Sequence, residues 1–235
     1  MIKRVINGIK RRLAEYRVKL NFQNVCYSSP EFHNSIPSPE FVYRDDNSTY
    51  ISSFIKHEET DITPWDIDEK SDISRISYID SGMHLYSQAK KENWMCFFYR
   101  GVQDRYSFSF DIEDYAGLDE IQVSFHCSSL RERYRFMIRN NKTAVFEVIK
   151  DGRFYRYVKQ RSCAVPFDEK HNIEVVVDGN QYSLLVDKKP VLSVRDRKKL
   201  VGNVMDNKLI MIFYNRNGEI DCDVSSVEMQ SASHR

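Results

Sequence analysis

The stretch that decides the fold is HNIEVVVDGNQYSLLVDKKPVLSV, residues His171–Val194. Ile173–Val177 is rich in β-branched residues, which favour extended backbone. Asp178-Gly179-Asn180 follows, and it predicts a tight turn because glycine tolerates positive φ and Asx side chains bond their own backbone. Apolar and polar residues alternate over Tyr182–Asp187, and a second turn at Asp187–Pro190 leads into another apolar run. The stretch therefore predicts three short antiparallel strands.

This pattern resembles the meander of concanavalin A-like jelly rolls, which include laminin G-like and related lectin-like domains. The resemblance extends from about Ser71 to Met229. It implies a sandwich of two antiparallel sheets, a fold that hosts lectins, adhesion modules and glycosidases alike. The resemblance is therefore more specific for fold than for activity.

From Phe41 onward, some thirteen or more short apolar or alternating segments are separated by turn-forming residues, beginning with Phe41–Arg44 and Tyr50–Lys56. Only Asp61–Lys70 differs, and its Thr63-Pro64 start predicts a single helical turn. We predict an all-β, two-sheet antiparallel jelly-roll sandwich with a short N-terminal amphipathic helix. The predicted divisions are a helix over residues 1–22, a linker or wrapping arm over 23–40 and the sandwich over 41–235.

The number and spacing of the cysteines, together with the hydropathy of the chain, indicate the cellular compartment of the protein. The five cysteines are odd in number and lack metal-binding spacing, so we expect reduced, mostly buried thiols. No run of about 18 apolar residues occurs, and the amino terminus lacks the apolar core of a signal peptide. We therefore expect a cytoplasmic protein, and no cofactor.

Residues 1–20 carry the basic character of the chain. They hold seven lysines and arginines against one glutamate, a net charge of +6 that leaves −5 for the rest of a chain whose total is +1. An apolar stripe recurs at helical spacing through Ile2, Val5, Ile6, Ile9, Leu13, Tyr16 and Leu20. This composition is typical of an interfacial anchor, so we expect peripheral attachment to an anionic membrane surface at the inner face. Two alternatives stay open: the stripe covers the sandwich, or it pairs with a second copy in a dimer.

Polar side chains that alternate with apolar ones along neighbouring strands predict a binding face. The predicted ligand-binding residues are Ser107, Ser109, Gln122, Ser124, His126, Arg133, Arg135, Tyr155 and Tyr157. On a shared surface, arginines would pair a carboxylate or phosphate, Gln and Ser would bond hydroxyls, and tyrosine rings would stack on a pyranose. Trp65 and Trp94 are the next candidates. The alternative is an ordinary solvated sheet face.

The sequence thus predicts a non-catalytic, lectin-like protein that binds carbohydrate, specifically an anionic or bacterial surface polysaccharide, at a membrane surface. The first alternative is a glycoside hydrolase, because Glu219-Ile-Asp221-Cys-Asp223 resembles the Glu-x-Asp-x-Glu strand of laminarinase-like hydrolases, whose first Glu is the nucleophile and last Glu the acid. Asp223 is one methylene shorter than that acid. The second alternative is a protein-interaction module.

The sequence favours Ca²⁺ binding and nucleic-acid binding less than the functions above. Asp178, Asn180 and Asp187 are the candidates for a Ca²⁺ site, although such residues are more often plain turn-formers. Nucleic-acid binding is placed last because a domain carrying −5 is a poor partner for phosphates unless its cations are segregated.

Overall fold

The computed structural model describes residues 2–32, 34–36, 65–70, 73–79, 82–100, 105–115, 117–129, 132–166, 169–200 and 208–231. The predicted strands Phe41–Arg44 and Tyr50–Lys56 lie outside these residues, as does the boundary at residue 40. Within the described ranges the chain forms one helix and sixteen strands, and the strands make two antiparallel sheets.

Helix α1 spans Ile2–Asn21. Sheet I contains, among the described residues, β1 (Phe22–Asn24), β2 (Asn34–Ile36), β4 (Ile73–Ile79), β5 (Gly82–Gln88), β7 (Arg105–Glu113), β12 (His171–Asp178), β13 (Gln181–Val186), β14 (Lys189–Asp196) and β16 (Glu219–Ser231). Sheet II contains β3 (Trp65–Lys70), β6 (Asn93–Arg100), β8 (Glu120–Ser129), β9 (Glu132–Arg139), β10 (Thr143–Lys150), β11 (Arg153–Ser162) and β15 (Lys208–Asn215).

The strand order departs from the order in the chain. Sheet I runs β1-β14-β13-β12-β7-β16-β5-β4, with β2 pairing the end of β16, and sheet II runs β11-β10-β9-β8-β15-β6-β3. Consecutive strands such as β7 and β8 therefore lie in different sheets. This two-sheet antiparallel sandwich with an N-terminal helix confirms the predicted fold class.

The central strands form as their local chemistry predicts. Val175 lies opposite Leu184, which lies opposite Leu192, and all three side chains are buried. Gly179 has φ 61 at the first position of a two-residue turn, the position that a type II′ turn reserves for glycine. The β13–β14 turn instead places both of its residues, 187 and 188, at positive φ, as a type I′ turn requires.

An aromatic cluster fills the space between the sheets. Phe125 and Phe146 of sheet II pack near Tyr182 of sheet I, with the Phe125 and Tyr182 ring centroids 5.0 Å apart. Phe22, directly after α1, contributes a ring whose centroid is 5.0 Å from that of Phe146. Fully buried rings of this size supply much of the apolar area that stabilises a sandwich, so the residues just after α1 belong to the core.

The buried carboxylate of Asp196 links α1 to both sheets. It lies at the end of β14, and it accepts hydrogen bonds from Asn21 Nδ2 at 2.5 Å and from the Tyr134 hydroxyl of sheet II. The backbone amides of Lys198 and Leu200 donate to the same carboxylate at 3.0 and 2.7 Å. Because each oxygen has two donors, a fully buried charge is satisfied without a cation.

Helix α1 contacts β1 and β11, and its apolar packing lies near its C-terminal end. Val18 is buried there, whereas Ile6, Ile9, Leu13, Tyr16 and Leu20 remain 45–60% exposed. The alternative in which this stripe covers the sandwich is therefore wrong for the described part of the stripe. No helix in the described ranges is long and apolar enough to cross a membrane.

Two further predictions meet the structure here. The helical turn predicted for Asp61–Lys70 is wrong over Trp65–Lys70, which pairs with β6 as strand β3, because pairing with a neighbouring strand overrides weak local propensity. The cysteines are free thiols as predicted: Cys26 is exposed, and the four others, Cys96, Cys127, Cys163 and Cys222, are buried.

Replacing Asp196 tests the link between α1 and the sheets. We expect Asp196→Ala to lower the free energy of unfolding by about 3–5 kcal/mol in urea denaturation, because several buried donors lose their acceptor at about 1–3 kcal/mol each. Asp178→Ala is the control, since its partner Arg105 is half exposed and such pairs contribute about 1 kcal/mol or less. Equal stability of the two variants would contradict the assigned role of Asp196.

Candidate functional site

The predicted binding residues divide between opposite sides of the sandwich. Ser107 and Ser109 belong to β7 of sheet I, whereas Gln122 and Ser124 belong to β8 of sheet II. Their core-facing neighbours fill the interior from both sides, so the serines of β7 and the polar groups of β8 face away from each other. The prediction of one continuous polar face is therefore wrong, because the chain changes sheets between β7 and β8.

The groove on the outer face of sheet II is the candidate site. It encloses about 530 Å³ and crosses the sheet from Trp94 on β6 to Phe154 and Arg156 on β11. Four of the predicted residues belong to this face: Gln122, Ser124, Arg133 and Arg135. Here the alternation of the sequence is confirmed, since Tyr134 and Phe136, which alternate with these arginines, point into the core.

A ladder of charged and polar side chains crosses the middle of the groove. Arg135 donates to Glu147 on β10 from Nε at 2.9 Å and from Nη2 at 2.5 Å, and from Nη1 to Gln122 Oε1 at 2.8 Å. Gln122 in turn donates to Glu120, which also pairs with Arg139 at 3.2 Å. Arg135 is only 11% exposed and its donors are engaged, so it acts as a structural cation.

Arg133 is also buried, but two of its hydrogen-bond donors have no acceptor among the described residues. Its residue is 8% exposed, and Nε and Nη1 have no hydrogen-bond partner within the described part of the chain. Burial lowers the pKa of the Arg133 guanidinium below its usual value, although arginine stays protonated in proteins. A buried cation with unused donors is energetically costly on its own. Arg133 therefore brings an unpaired, desolvated guanidinium to the lining of the groove.

Apolar side chains form the floor beside the charged ladder. Cys96, Cys127, Ile210 and Ile212 pack together on the outer face, and the half-buried ring of Trp94 packs against them. Arg133 lies near both thiols. An indole beside such a floor presents the kind of flat apolar surface on which a sugar ring stacks.

Phe154, at the opposite end of the groove from Trp94, is an aromatic that sequence reasoning missed. Its ring is 46% exposed, and the guanidinium carbons of Arg135 and Arg156 lie 5.8 and 5.9 Å from its centroid. Tyr155, predicted to face the ligand, packs against the core instead. The turn Asp151–Gly152 sets this register: Tyr155 lies opposite the core residue Val148, and directly opposed residues share a face. The side chain of Tyr157 lies outside the described residues.

The prediction that His126 faces outward is also wrong. His126 has φ 48 at a register shift of β8, and this irregularity turns its ring toward the interior. Its centroid lies 5.3 Å from that of Tyr182 and 5.8 Å from that of Tyr134. A strict alternation along the strand cannot anticipate such a bulge.

The proposed catalytic acids lie across the sandwich from the groove. Glu219, Asp221 and Asp223 project from the outer face of sheet I, because Ile220 and Cys222 between them are buried in the core. His84 Nδ1 lies 2.7 Å from Asp223 Oδ1, and His84 Nε2 lies 3.6 Å from Asp221 Oδ1. These acids therefore contribute nothing to the sheet II groove.

The Ca²⁺ candidates do not converge. Asp178 pairs with Arg105 at 2.6 Å and Asn180 donates to the Asp196 carbonyl, whereas Asp187 contacts His171 at the other end of β13. Six residues of extended strand separate the two ends by roughly 20 Å. Over the ranges described above, no group of three His, Cys, Asp or Glu side chains has the arrangement of a metal site.

No protein-family model and no curated protein matches this chain. Solved structures are similar in fold. A carbohydrate-binding module CBM66 from Bacillus subtilis is 11% identical with a TM-score of 0.51, covering 72% of this chain and 96% of the module. A Bacillus subtilis protein with a galectin-like fold is 13% identical with a TM-score of 0.56, covering 73% and 90%.

The carbohydrate recognition domain of Emp47p is 12% identical with a TM-score of 0.50, covering 85% of this chain and 95% of that domain. At such low identities the likeness concerns backbone architecture. The chain has the galectin-like, concanavalin A-like jelly-roll fold found in lectin domains.

Proposed function

We propose that this protein binds an anionic carbohydrate in the groove on the outer face of sheet II. The observation that carries the proposal is the buried Arg133 guanidinium, whose Nε and Nη1 have no partner among the described residues. A ligand carboxylate or phosphate would satisfy these donors, and arginine matches the geometry of both groups.

Two further observations favour a sugar as the carrier of that anion. Trp94 and Phe154 stand at opposite ends of the groove, and their rings offer stacking surfaces on either side of a polar centre. Such a combination of flat apolar and hydrogen-bonding surfaces suits a pyranose. Two structures that share the fold are by their descriptions a carbohydrate-binding module and a carbohydrate recognition domain, which supports the same ligand class.

Binding without cleavage fits the groove better than hydrolysis. Glycosidases use a pair of carboxyl groups that flank the scissile bond, one of them as a proton donor. The glutamates that line the groove, Glu120 and Glu147, are both engaged with arginines of β9. The acids of β16 lie on the other sheet, so they could not act on a sugar bound here.

We further propose that α1 holds the protein at an anionic membrane surface, which places it in the cytoplasm at the inner membrane face. The exposed stripe through Ile9, Leu13 and Tyr16 is available to enter the acyl boundary. Exposed cations border it on both edges: Lys10 and Arg17 follow stripe residues, and Arg12 and Lys19 precede them. Pairing with a second copy would bring these like charges together at the flanks of a coiled coil, which disfavours a dimer.

Substitution of Arg133 tests the sugar proposal. On a glycan array that includes acidic and neutral polysaccharides, we expect the protein to bind acidic glycans. Arg133→Gln should weaken this binding at least 30-fold, because loss of one partner of a buried charge pair costs about 2–5 kcal/mol. The control is Arg195→Gln, an exposed arginine of sheet I. Failure to bind any acidic glycan, or equal binding by both variants, would contradict the proposal.

Arg135 should behave differently from Arg133. Arg135→Gln leaves the carboxylate of Glu147, which is 2% exposed, without its cation. We expect the free energy of unfolding to fall by about 3–5 kcal/mol, as when other buried pairs are broken. Arg133→Gln should leave thermal stability unchanged or raise it, since it removes an unpaired buried charge. Comparable melting temperatures for the two variants would argue against this division of roles.

The membrane proposal is tested by sedimentation with lipid vesicles. The full chain should co-sediment with anionic vesicles at low salt, and poorly with neutral vesicles or at high salt, where cations are screened. Ile9→Gln with Leu13→Gln should weaken binding at least about 100-fold, since each buried apolar side chain contributes about 1.5–3 kcal/mol. A concentration-dependent dimer that the same substitutions dissociate would replace the membrane proposal.

A further inference from the structure

A second depression, which we call the basic cleft, lies between α1 and the turn that joins β10 to β11. It encloses about 910 Å³, and its charged lining consists of Lys10, Arg11, Glu15, Arg153 and Arg156. Arg11 pairs with Glu15 within the helix, Nε to Oε1, at 3.1 Å. The three other cations have no carboxylate partner among the residues that the structure describes, so the cleft carries an uncompensated positive charge.

The basic cleft adjoins the groove of sheet II. Phe154 and Arg156 line both depressions, so a ligand that extends from the groove over β11 would reach the cleft. The groove alone crosses six neighbouring strands from β6 to β11. At about 4.8 Å per strand this is a path of roughly 24 Å, to which the cleft adds further length.

The two depressions hold cations of different kinds. Arg133 in the groove is buried and has unused donors, which suits one desolvated anionic group. Lys10 and Arg153 at the cleft are exposed, which suits anions that stay partly hydrated. One short acidic sugar could satisfy only the first of these positions.

We infer that groove and cleft form one tract for an extended polyanionic polysaccharide, a linear chain that carries repeated negative groups. This inference rests on the proposed sugar-binding function of the groove. One anionic group pairs with Arg133, and groups further along the same chain pair with the cations of the basic cleft. Because both positions bind one chain, the second contact forms at high effective concentration and raises the overall affinity.

A single-stranded nucleic acid is the rival polyanion. Binding of that kind relies on successive bases stacking on several aromatic side chains along a basic groove. The aromatics of the groove are Trp94 and Tyr214 at one end and Phe154 at the other, with the charged ladder between them, and apart from Phe154 the cleft itself is lined by charged and polar groups. These features favour the polysaccharide.

The test is calorimetric binding of chains of defined length by the full protein. The probes are a galacturonate disaccharide, a galacturonate dodecasaccharide and, as the second source of repeated anions, a phosphodiester-linked polyol chain of matched length. Lys10→Gln with Arg153→Gln removes cations of the cleft. We expect it to weaken binding of the preferred long chain about 2- to 30-fold, at about 0.2–1 kcal/mol per exposed cation, and to leave binding of the disaccharide unaffected.

Further variants distinguish loss of binding in the groove from loss of binding in the cleft. Arg133→Gln should weaken binding of short and long chains alike, and Lys188→Gln with Lys189→Gln, at the exposed β13–β14 turn, is the charge-matched control. Affinity for the long chain should also fall more steeply with salt than affinity for the short one. If Arg133→Gln weakens binding but length and the cleft substitutions have no effect, the tract is refuted and the groove alone binds.

Two other results are decisive. If neither anionic polymer binds, or Arg133→Gln changes nothing, the sugar-binding function itself fails, and the inference fails with it. A single-stranded oligonucleotide that binds more tightly than both polymers in the same assay would overturn the ligand class.

Discussion

The arrangement of this protein depends on one constraint: the buried carboxylate of Asp196 must accept hydrogen bonds on both of its oxygens. A buried charge is tolerated only when donors surround it, and here the donors come from three places: Asn21 at the end of α1, Tyr134 of sheet II and backbone amides after β14. The helix therefore cannot change position without leaving these groups unpaired. These bonds hold the C-terminal end of α1 on the sandwich, and residues 7–15 of the helix line the basic cleft beside the β10–β11 turn.

Two arginines of the sheet II groove lie two residues apart on the same strand, yet they differ in their hydrogen-bond partners. Arg135 is engaged by Glu147 and Gln122, so its charge contributes to the stability of the sheet. Arg133 is equally buried, but its donors point at no acceptor that the structure describes. A protein gains no stability from such a group, and this is why we propose that a ligand anion pairs with Arg133.

Helix α1 presents different chemistry on its two sides. Val18 and Asn21 attach it to the sandwich, and Lys10 and Arg11 border the basic cleft. The apolar stripe remains exposed on another side. The two proposals, an anionic surface under the stripe and an anionic polymer in the cleft, would both make use of the excess of cations in residues 1–20.

The sequence by itself determined the elements that depend on neighbouring residues: the amphipathic helix, the hairpins of β12–β14 with their glycine and Asx turns, and the alternation that faces Arg133 and Arg135 outward. Tertiary structure alone decided which strands share a sheet, and so separated Ser107 from Gln122. It also produced the bulge in β8 that turns His126 inward. The pairing of β11 with β10, another tertiary feature, exposes Phe154 and turns Tyr155 toward the core. Local patterns cannot specify these features, because strand order, register and the partners of a buried charge are set by contacts between residues distant in the chain.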